Sequence, residues 1–365
     1  MSYSLKGYKT RGIEGVSAVI GAEEYLNLQL HDDGVKGYGG ERSVCIGPMR
    51  GGKTTLALIT LPRIYYISNG TKEEWFASKD PNKLDLVKPE TIIYRGRKLD
   101  YWNCYTKENF SKCFPKDKER ELKVFIYYQD DTRFLAYNQK TGMDEPIPNL
   151  NIYRYREQSD LYDNLIEGGI NVIYVPNAYT LSPFLKNAIN EMMMLNDGDT
   201  NFLAEQDDIS VIRETFWYDF FYYLMDIEKN RDDPDDHRRK IKFITFFFDE
   251  AHQIFPANEP KPFWYLIDNF AENVLIDTGR MNISIYANIH HLNLMYWKVL
   301  QRFVIFEWLL GSFPDKKYSM VSDKLPRHMW KGLFLIERKQ QRFGKMEFPR
   351  IPNQPDVVLA RGVPS

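Results

Sequence analysis

The chain is poor in cysteine, with three in 365 residues: Cys45, Cys104 and Cys113. So few, and an odd number, exclude a disulfide framework and fit a reducing interior. Cys104 and Cys113 have no histidine or second cysteine pair at zinc spacing, so they read as structural. Charge of one sign is lacking too: 48 Lys+Arg stand against 50 Asp+Glu, a net charge of −2. That excludes a protein that coats nucleic acid by bulk charge, and still allows a local basic strip. Long apolar runs are missing. Those at 243–248 and 303–310, the second interrupted by Glu307, fall far short of the roughly 20 residues of a spanning helix. Residues 1–9 have no apolar segment of the signal-peptide kind. The expectation is a protein without an integral membrane segment, cytoplasmic or carried inside an assembly. No internal repeat is found. What is present is a globular composition, 43% hydrophobic and 15% aromatic.

One segment dominates the reading. Ser43-Val-Cys-Ile-Gly47-Pro48-Met49-Arg50-Gly51-Gly52-Lys53-Thr54-Thr55 fits G-x-x-x-x-G-K-[ST] over residues 47–54. A short apolar strand at 44–46 precedes it and a helical stretch at 53–61 follows, closed by Pro62, which is the context such a loop requires. Gly47, Gly51 and Gly52 let the backbone turn its N–H groups inward around a phosphate. The helix N-terminus adds a positive dipole end. Lys53 is placed for the β- and γ-phosphates of ATP, and the Thr54 hydroxyl for Mg²⁺. The nucleotide-binding set is therefore Gly47, Pro48, Met49, Arg50, Gly51, Gly52, Lys53, Thr54 and Thr55.

A phosphate loop needs a partner, a strand that ends in an acid. Lys242-Phe-Ile-Thr-Phe-Phe-Phe248-Asp249-Glu250-Ala251-His252 supplies one. A continuous apolar run of this length reads as a central parallel strand buried on both faces. Asp249 at its end is the metal-side carboxylate, with Thr54, and Glu250 is placed to polarise an attacking water as general base. Glu250 favours hydrolysis of ATP over phosphoryl transfer to a second substrate. Two other motifs are decoys. Asn82-Lys83-Leu84-Asp85 spells a guanine-reading motif but precedes the acidic strand, the wrong order for a GTPase. Asp249-Glu250-Ala251-His252 spells a helicase motif, but the chain beyond residue 252 is too short for a second helicase lobe.

Downstream lie a proline-rich loop (Pro256, Pro260, Pro262), an amphipathic helix at 263–276, Asp277-Thr278-Gly279-Arg280, and a strand Ile283-Ser-Ile-Tyr-Ala-Asn288-Ile289 ending at His290-His291. This order resembles the FtsK/HerA superfamily of DNA-pumping ATPases, which includes viral genome-packaging ATPases. The stretch Val299-Leu-Gln-Arg302-Phe-Val-Ile-Phe-Glu-Trp and the hairpin-like Lys331-Gly332-Leu-Phe-Leu-Ile-Glu-Arg338 are similar to the family's next strands. The resemblance covers about residues 40–64 and 205–340. It implies an α/β P-loop NTPase of RecA/ASCE-like type with a central, mostly parallel sheet. It implies Mg²⁺ and ATP, double-stranded DNA as partner, a homohexameric ring, and a viral capsid or portal component as a docking partner. It implies a host-cytoplasmic or virion-associated location. His290 falls where the family has a γ-phosphate sensor, usually Gln, so a solvated histidine pair is the competing reading. Arg280 and Arg302 are the candidates for an arginine supplied to a neighbour's site, with a plain salt-bridge arginine the competing reading for each. The alternative functions are a Zot-like virion-assembly ATPase, a conjugation-type DNA pump, and a nucleotide-binding scaffold with little hydrolysis.

The expected organisation is a lead-in at 1–40, an ATPase core at 41–350 and a tail at 351–365. Strand-like runs at Thr91-Ile-Ile-Tyr94, Val124-Phe-Ile-Tyr-Tyr128 and Phe134-Leu-Ala-Tyr137, with turn signals such as Arg95-Gly96-Arg97, read as a β-rich insertion at about 70–150. A strand at 151–155, a helix at 159–167 and a strand at 170–175 form a parallel α/β unit. Met192, Met193 and Met194 read as core or interface filler, and residues 230–242 as a solvated charged linker. Residues 327–350 hold seven basic side chains interleaved with Trp330, Phe334, Phe343 and Phe348. They are either a strip for nucleic-acid phosphates and bases or a solvated hairpin with a packed face.

Overall fold

Strands buried on both faces carry apolar side chains at every position instead of alternating them. Ile244–Phe248 and Ile283–Ile289 are buried over their full length and mostly apolar, with Thr245, Ser284 and Asn288 the polar exceptions, and Arg42–Ile46 is buried over all but its first residue. In the computed structural model these three lie side by side at the centre of a sheet. The structure describes residues 5–6, 18–19, 42–48, 53, 91–96, 124–128, 132–138, 141–146, 151–167, 169–175, 182, 185–187, 189–191, 194, 214–241, 244–258, 263–303, 305–309, 333–337, 340–346 and 357–364.

In chain order the strands are β1 (Leu5–Lys6), β2 (Ala18–Val19), β3 (Arg42–Ile46), β4 (Thr91–Gly96), β5 (Val124–Tyr128), β6 (Thr132–Asn138), β7 (Met143–Pro146), β8 (Asn151–Arg154), β9 (Ile170–Tyr174), β10 (Ile244–Phe248), β11 (Ile283–Ile289), β12 (Ile305–Leu309), β13 (Leu333–Glu337), β14 (Gln340–Met346) and β15 (Val357–Pro364). The helices are α1 (Gln158–Asn164), α2 (Thr215–Lys229), α3 (Phe263–Asn269), α4 (Leu275–Asp277) and α5 (Trp297–Leu300), with α3 running into α4 through a π-helical stretch, Phe270–Val274.

The main sheet has the order β1-β14-β13-β12-β3-β11-β10-β4-β9-β5-β8, with β2 beside β14. From β12 through β8 neighbouring strands pair in parallel, and β13 and β14 add an antiparallel hairpin at the β12 edge. The phosphate-loop strand β3 and the acidic strand β10 are therefore not neighbours, because β11 lies between them. That interposed strand, with β12 outside β3 and β4 outside β10, is the strand order of an ASCE-type P-loop core. The α/β P-loop fold expected from the motifs is the fold observed.

The stretch 70–150 departs from its reading as an insertion. β4 pairs with β10, and β5 with β9, inside the main sheet. Only β6 and β7 leave it, forming with β15 a separate antiparallel sheet. Short apolar runs of this kind carry no sign of which strand they will pair with, since parallel pairing is set by distant partners.

Much of the aromatic excess has its place against β10. Phe246 and Phe248 face α2, with ring centroids 4.5 Å apart for Phe221–Phe246 and 5.1 Å for Trp217–Phe248. One residue out of phase, Phe247 points to the other face and stacks on Tyr286 of β11 at 4.8 Å. On α2, the i, i+4 pairs Phe216–Phe220 and Trp217–Phe221 bring four buried rings to one stripe. Aromatic pairs in tilted, stacked and edge-to-face arrangements such as these contribute about 0.5–1.5 kcal/mol each beyond the area they bury. The tyrosine hydroxyl of α2's Tyr218 donates to the Ile254 carbonyl, tying the helix to the segment after Glu250.

Two further readings are refined. Residues 232–235 and 237 are exposed, as a solvated linker would be, but the basic half of 230–241 is tied back to the helix before it. Arg238 folds back to Asp226 at 2.7 Å and to Asp236 at 2.8 Å, which neutralises the charge switch locally. Met194 is 54% exposed and is not core, while Met192 and Met193 lie outside the described residues. Among the described residues no helix is long and apolar enough to cross a membrane.

Because Trp217 is fully buried among Phe216, Phe246 and Phe248, Trp217→Ala is expected to destabilise the fold by about 3–5 kcal/mol. Denaturant-induced unfolding of the wild type and the variant measures this.

Candidate active site

Parallel pairing aligns the carboxyl ends of β3, β11 and β10, so the residues that follow them share one edge of the sheet. The register sets Ile46 opposite Ile289 and Ala287 opposite Phe248. The Gly47 N–H donates to the Ile289 carbonyl at 3.1 Å, which joins the start of the phosphate loop to the end of β11. Lys53, the residue after the loop glycines, is buried there at 6% exposure. Its ammonium donates to the carbonyls of Gly47 (2.7 Å) and Pro48 (3.1 Å) and lies 3.0 Å from Nδ1 of His290. An ammonium has hydrogens to give and no lone pair to offer. Nδ1 is therefore the acceptor, and the ring proton sits on Nε2. That nitrogen lies 3.0 Å from Oε1 of Glu250. On the other side of the same carboxylate, His252 Nε2 is 3.5 Å from Glu250 Oε2. Lys53, His290, Glu250 and His252 thus form one continuous polar chain.

Burial pulls the Lys53 ammonium below its ordinary value, and the nearby carboxylates of Glu250 and Asp249 partly offset that. Among the described residues no carboxylate forms an ion pair with Lys53; its three contacts are neutral. A buried cation held only by neutral acceptors favours an anion beside it. The phosphates of a nucleotide fit that requirement. Asp249 accepts from the Asn288 amide at 3.4 Å, which turns the carboxylate toward β11 and the loop. Among the described residues no group of three or more His, Cys, Asp or Glu side chains is arranged to hold a metal. A magnesium ion held by one carboxylate, one hydroxyl and the nucleotide's own phosphates needs no such group.

The backbone turns sharply after Asp249. Glu250 has φ 55° and ψ 44°, the left-handed region, which costs a residue with a Cβ roughly 1–2 kcal/mol. This turn lets the chain leave β10 and enter the short 3₁₀ segment Ala251–Gln253 while the Glu250 side chain stays at the sheet edge. Arg95, near the end of β4 and 2% exposed, donates to the carbonyls of Asp249 (2.6 Å) and Glu250 (3.3 Å). It also reaches Gln253 Oε1 at 3.1 Å and pairs with the Glu214 carboxylate.

Of the residues singled out in the sequence, Gly47, Lys53, Asp249, Glu250 and His290 come together, with Pro48 beside them. Met49, Arg50, Gly51, Gly52, Thr54 and Thr55 lie outside the described residues, as do Cys104, Cys113, the 82–85 motif and the side chains of the 327–350 strip. Arg280 and Arg302 are not at this edge. They precede β11 and β12, and so lie at the amino ends of the strands, about 20 Å away by the length of a strand. Arg280 has an 85% exposed side chain, with a 3.4 Å contact to Asp277. Arg302 donates through Nε to the Ala271 carbonyl at 3.0 Å, inside the π-helical stretch. The sequence reading missed Asn288, His252 and Arg95 as site residues. Asn288 and His252 sat inside motifs already quoted, and Arg95 was hidden by Gly96, which marked the pair as a turn.

Strand order and site together define a P-loop NTPase core of the ASCE type. No protein-family model matches the sequence, and no curated protein does either. Among solved structures the chain is similar to the genome packaging NTPase B204 from Sulfolobus turreted icosahedral virus 2 bound to ATP-gammaS. That match has 11% identity and a TM-score of 0.35, and it covers 84% of this chain and 97% of that one. It is also similar to the N-terminal domain of zonular occludens toxin from Neisseria meningitidis, at 8% identity and TM-score 0.31, covering 86% and 96%. A third is the pCW3 conjugation coupling protein TcpA, at 7% identity and TM-score 0.37, of which the match spans 61% and which covers 86% of this chain. What assigns this chain to the P-loop fold is its own strand order.

Because His290 Nε2 holds the Glu250 carboxylate at 3.0 Å, His290→Ala is expected to lower kcat for ATP hydrolysis by about 100-fold. Nucleotide affinity should stay within about threefold, because Lys53 still binds phosphate. Steady-state kinetics and equilibrium binding of a fluorescent ATP analogue separate the two.

Proposed function

We propose that the protein is an ATP-hydrolysing motor that moves double-stranded DNA, acting in the packaging of a viral genome. The observation that carries the ATPase half is the contact chain from Lys53 through His290 to Glu250 at the ends of three adjacent strands. The order of elements after Glu250, which resembles the DNA-pumping ATPases, supports the DNA half.

In this reading Lys53 exchanges the Pro48 carbonyl and His290 for the β- and γ-phosphates of ATP. Thr54 and Asp249 would hold Mg²⁺, which supplies charge neutralisation on the phosphates when bound. Asn288 keeps the Asp249 carboxylate facing that position. Glu250 takes the proton of the attacking water. His290 loses its Nδ1 donor when Lys53 turns to the phosphate, while its Nε2–H stays on Glu250, so the ring reports nucleotide arrival to the base. Arg280 and Arg302, at the opposite edge of the sheet, are out of reach of their own site, and a homohexameric ring gives them a neighbour's site to complete. The proposed organisation keeps the 41–350 core, with the β6–β7–β15 sheet as an accessory element. A viral capsid or portal component is the proposed docking partner.

The test is the ATPase rate with and without duplex DNA, for wild type and Glu250→Gln. Duplex DNA should raise the wild-type rate. Glu250→Gln should lower kcat by about 10²–10⁴-fold and abolish the stimulation while ATP still binds. Hydrolysis indifferent to DNA would contradict the motor reading and favour a virion-assembly ATPase. Binding without hydrolysis in the wild type would favour a scaffold.

A further inference from the structure

We propose that Arg95 is a positioning residue for Glu250: its guanidinium clamps the backbone on both sides of the left-handed turn and so holds the general base against His290. This deepens the proposed function and rests on the reading of Glu250 as the base.

The left-handed conformation of Glu250 is unusual for a residue with a side chain and persists where the surroundings over-determine it. Arg95 supplies that determination. Its Nη1 bonds the Asp249 carbonyl at 2.6 Å and the Glu250 carbonyl at 3.3 Å, the two carbonyls that flank the φ and ψ bonds of Glu250. Its Nη2 bonds Gln253 Oε1 at 3.1 Å, fixing the far end of the 3₁₀ turn. The Glu214 carboxylate, just before α2, anchors the guanidinium from behind. Two elements, the start of α2 and the turn after β10, thus converge on one side chain of β4. Both partners of the pair are buried, with side-chain exposures of 2% and 8%. A buried ion pair carries a desolvation cost and is weak as a general stabiliser, so its placement on this turn points to a local task. The task suits arginine alone, because a planar fork can reach two carbonyls and two side-chain oxygens at once where an ammonium cannot. At Glu250 the contact that Arg95 makes is with the backbone carbonyl. Arg95 acts on the chemistry only by fixing where the Glu250 carboxylate sits.

The test uses the full chain with Arg95→Lys, Glu214→Gln, Glu250→Gln and the double variants Arg95→Lys/Glu250→Gln and Glu214→Gln/Glu250→Gln. Hydrolysis kinetics, binding of a fluorescent ATP analogue and thermal unfolding are measured for each. Arg95→Lys is expected to lower kcat by about 10- to 100-fold while the analogue's Kd changes by no more than about twofold. Each double variant should be no slower than Glu250→Gln alone, because a residue that acts through the base has nothing left to position. An additive loss in the doubles, equal losses in kcat and affinity, or an unchanged kcat in Arg95→Lys would each overturn the proposal. If Arg95→Lys does not fold, Glu214→Gln, with an isosteric amide behind the guanidinium, gives the same discrimination through a smaller fall in kcat. A wild type that hydrolyses no ATP, or a Glu250→Gln variant at full rate, overturns the reading of Glu250 and this inference with it. An active wild type and inactive Glu250→Gln beside a fully active Arg95→Lys overturns this inference alone.

Discussion

The pairing of β11 between β3 and β10 is the constraint on which the site depends. Were β3 and β10 direct neighbours, the loop lysine and the acidic turn would face each other with nothing between them. The interposed strand ends at Ile289, opposite Ile46, and delivers His290 into that gap. The result is a buried ammonium with three neutral contacts, one of them the imidazole that also meets Glu250. A buried cation without an ion-paired carboxylate among the described residues is a costly arrangement at rest. The phosphates of a nucleotide are the anions that suit it.

Rigidity behind that edge comes from the aromatic packing of β10. Phe246 and Phe248 are locked against α2 and Phe247 against Tyr286, so the strand that carries Asp249 and Glu250 has little freedom to shift. The turn that follows is the opposite case, a conformation that local preference disfavours. It is held by Arg95 from β4, by Tyr218 from α2 and by the 3₁₀ hydrogen bond from Gln253 N–H to the Glu250 carbonyl at 2.9 Å. A stiff strand followed by an externally braced turn is how the fold places a carboxylate.

What was legible in the sequence was local. Glycine spelling around Lys53, the unbroken apolar run before Asp249 and the strand that ends at His290 each state their conformation within about ten residues, and these segments are the ones that meet at the site. Pairing partners are not local, and there the reading went astray. Thr91–Gly96 looked like part of an insertion because nothing in TIIYRG says that its neighbour is a strand some 150 residues on. Arg95 looked like a turn flank because Gly96 follows it. Its role depends on Glu214 and on the Asp249 and Glu250 carbonyls, which only the sheet brings near. Residues 230–241 are solvated over their acidic half as read, but a run of charges says nothing of the fold-back that pairs Arg238 with Asp226.

The most direct measurement is a crystal structure of the protein with Mg²⁺ and a non-hydrolysable ATP analogue. The account predicts the triphosphate wrapped by the 47–54 loop, with Lys53 Nζ about 3 Å from β- and γ-phosphate oxygens and released from Pro48 and His290. His290 Nε2 should remain on Glu250. A nucleotide bound elsewhere, or Lys53 still held by Pro48 and His290 with the analogue in place, would contradict it.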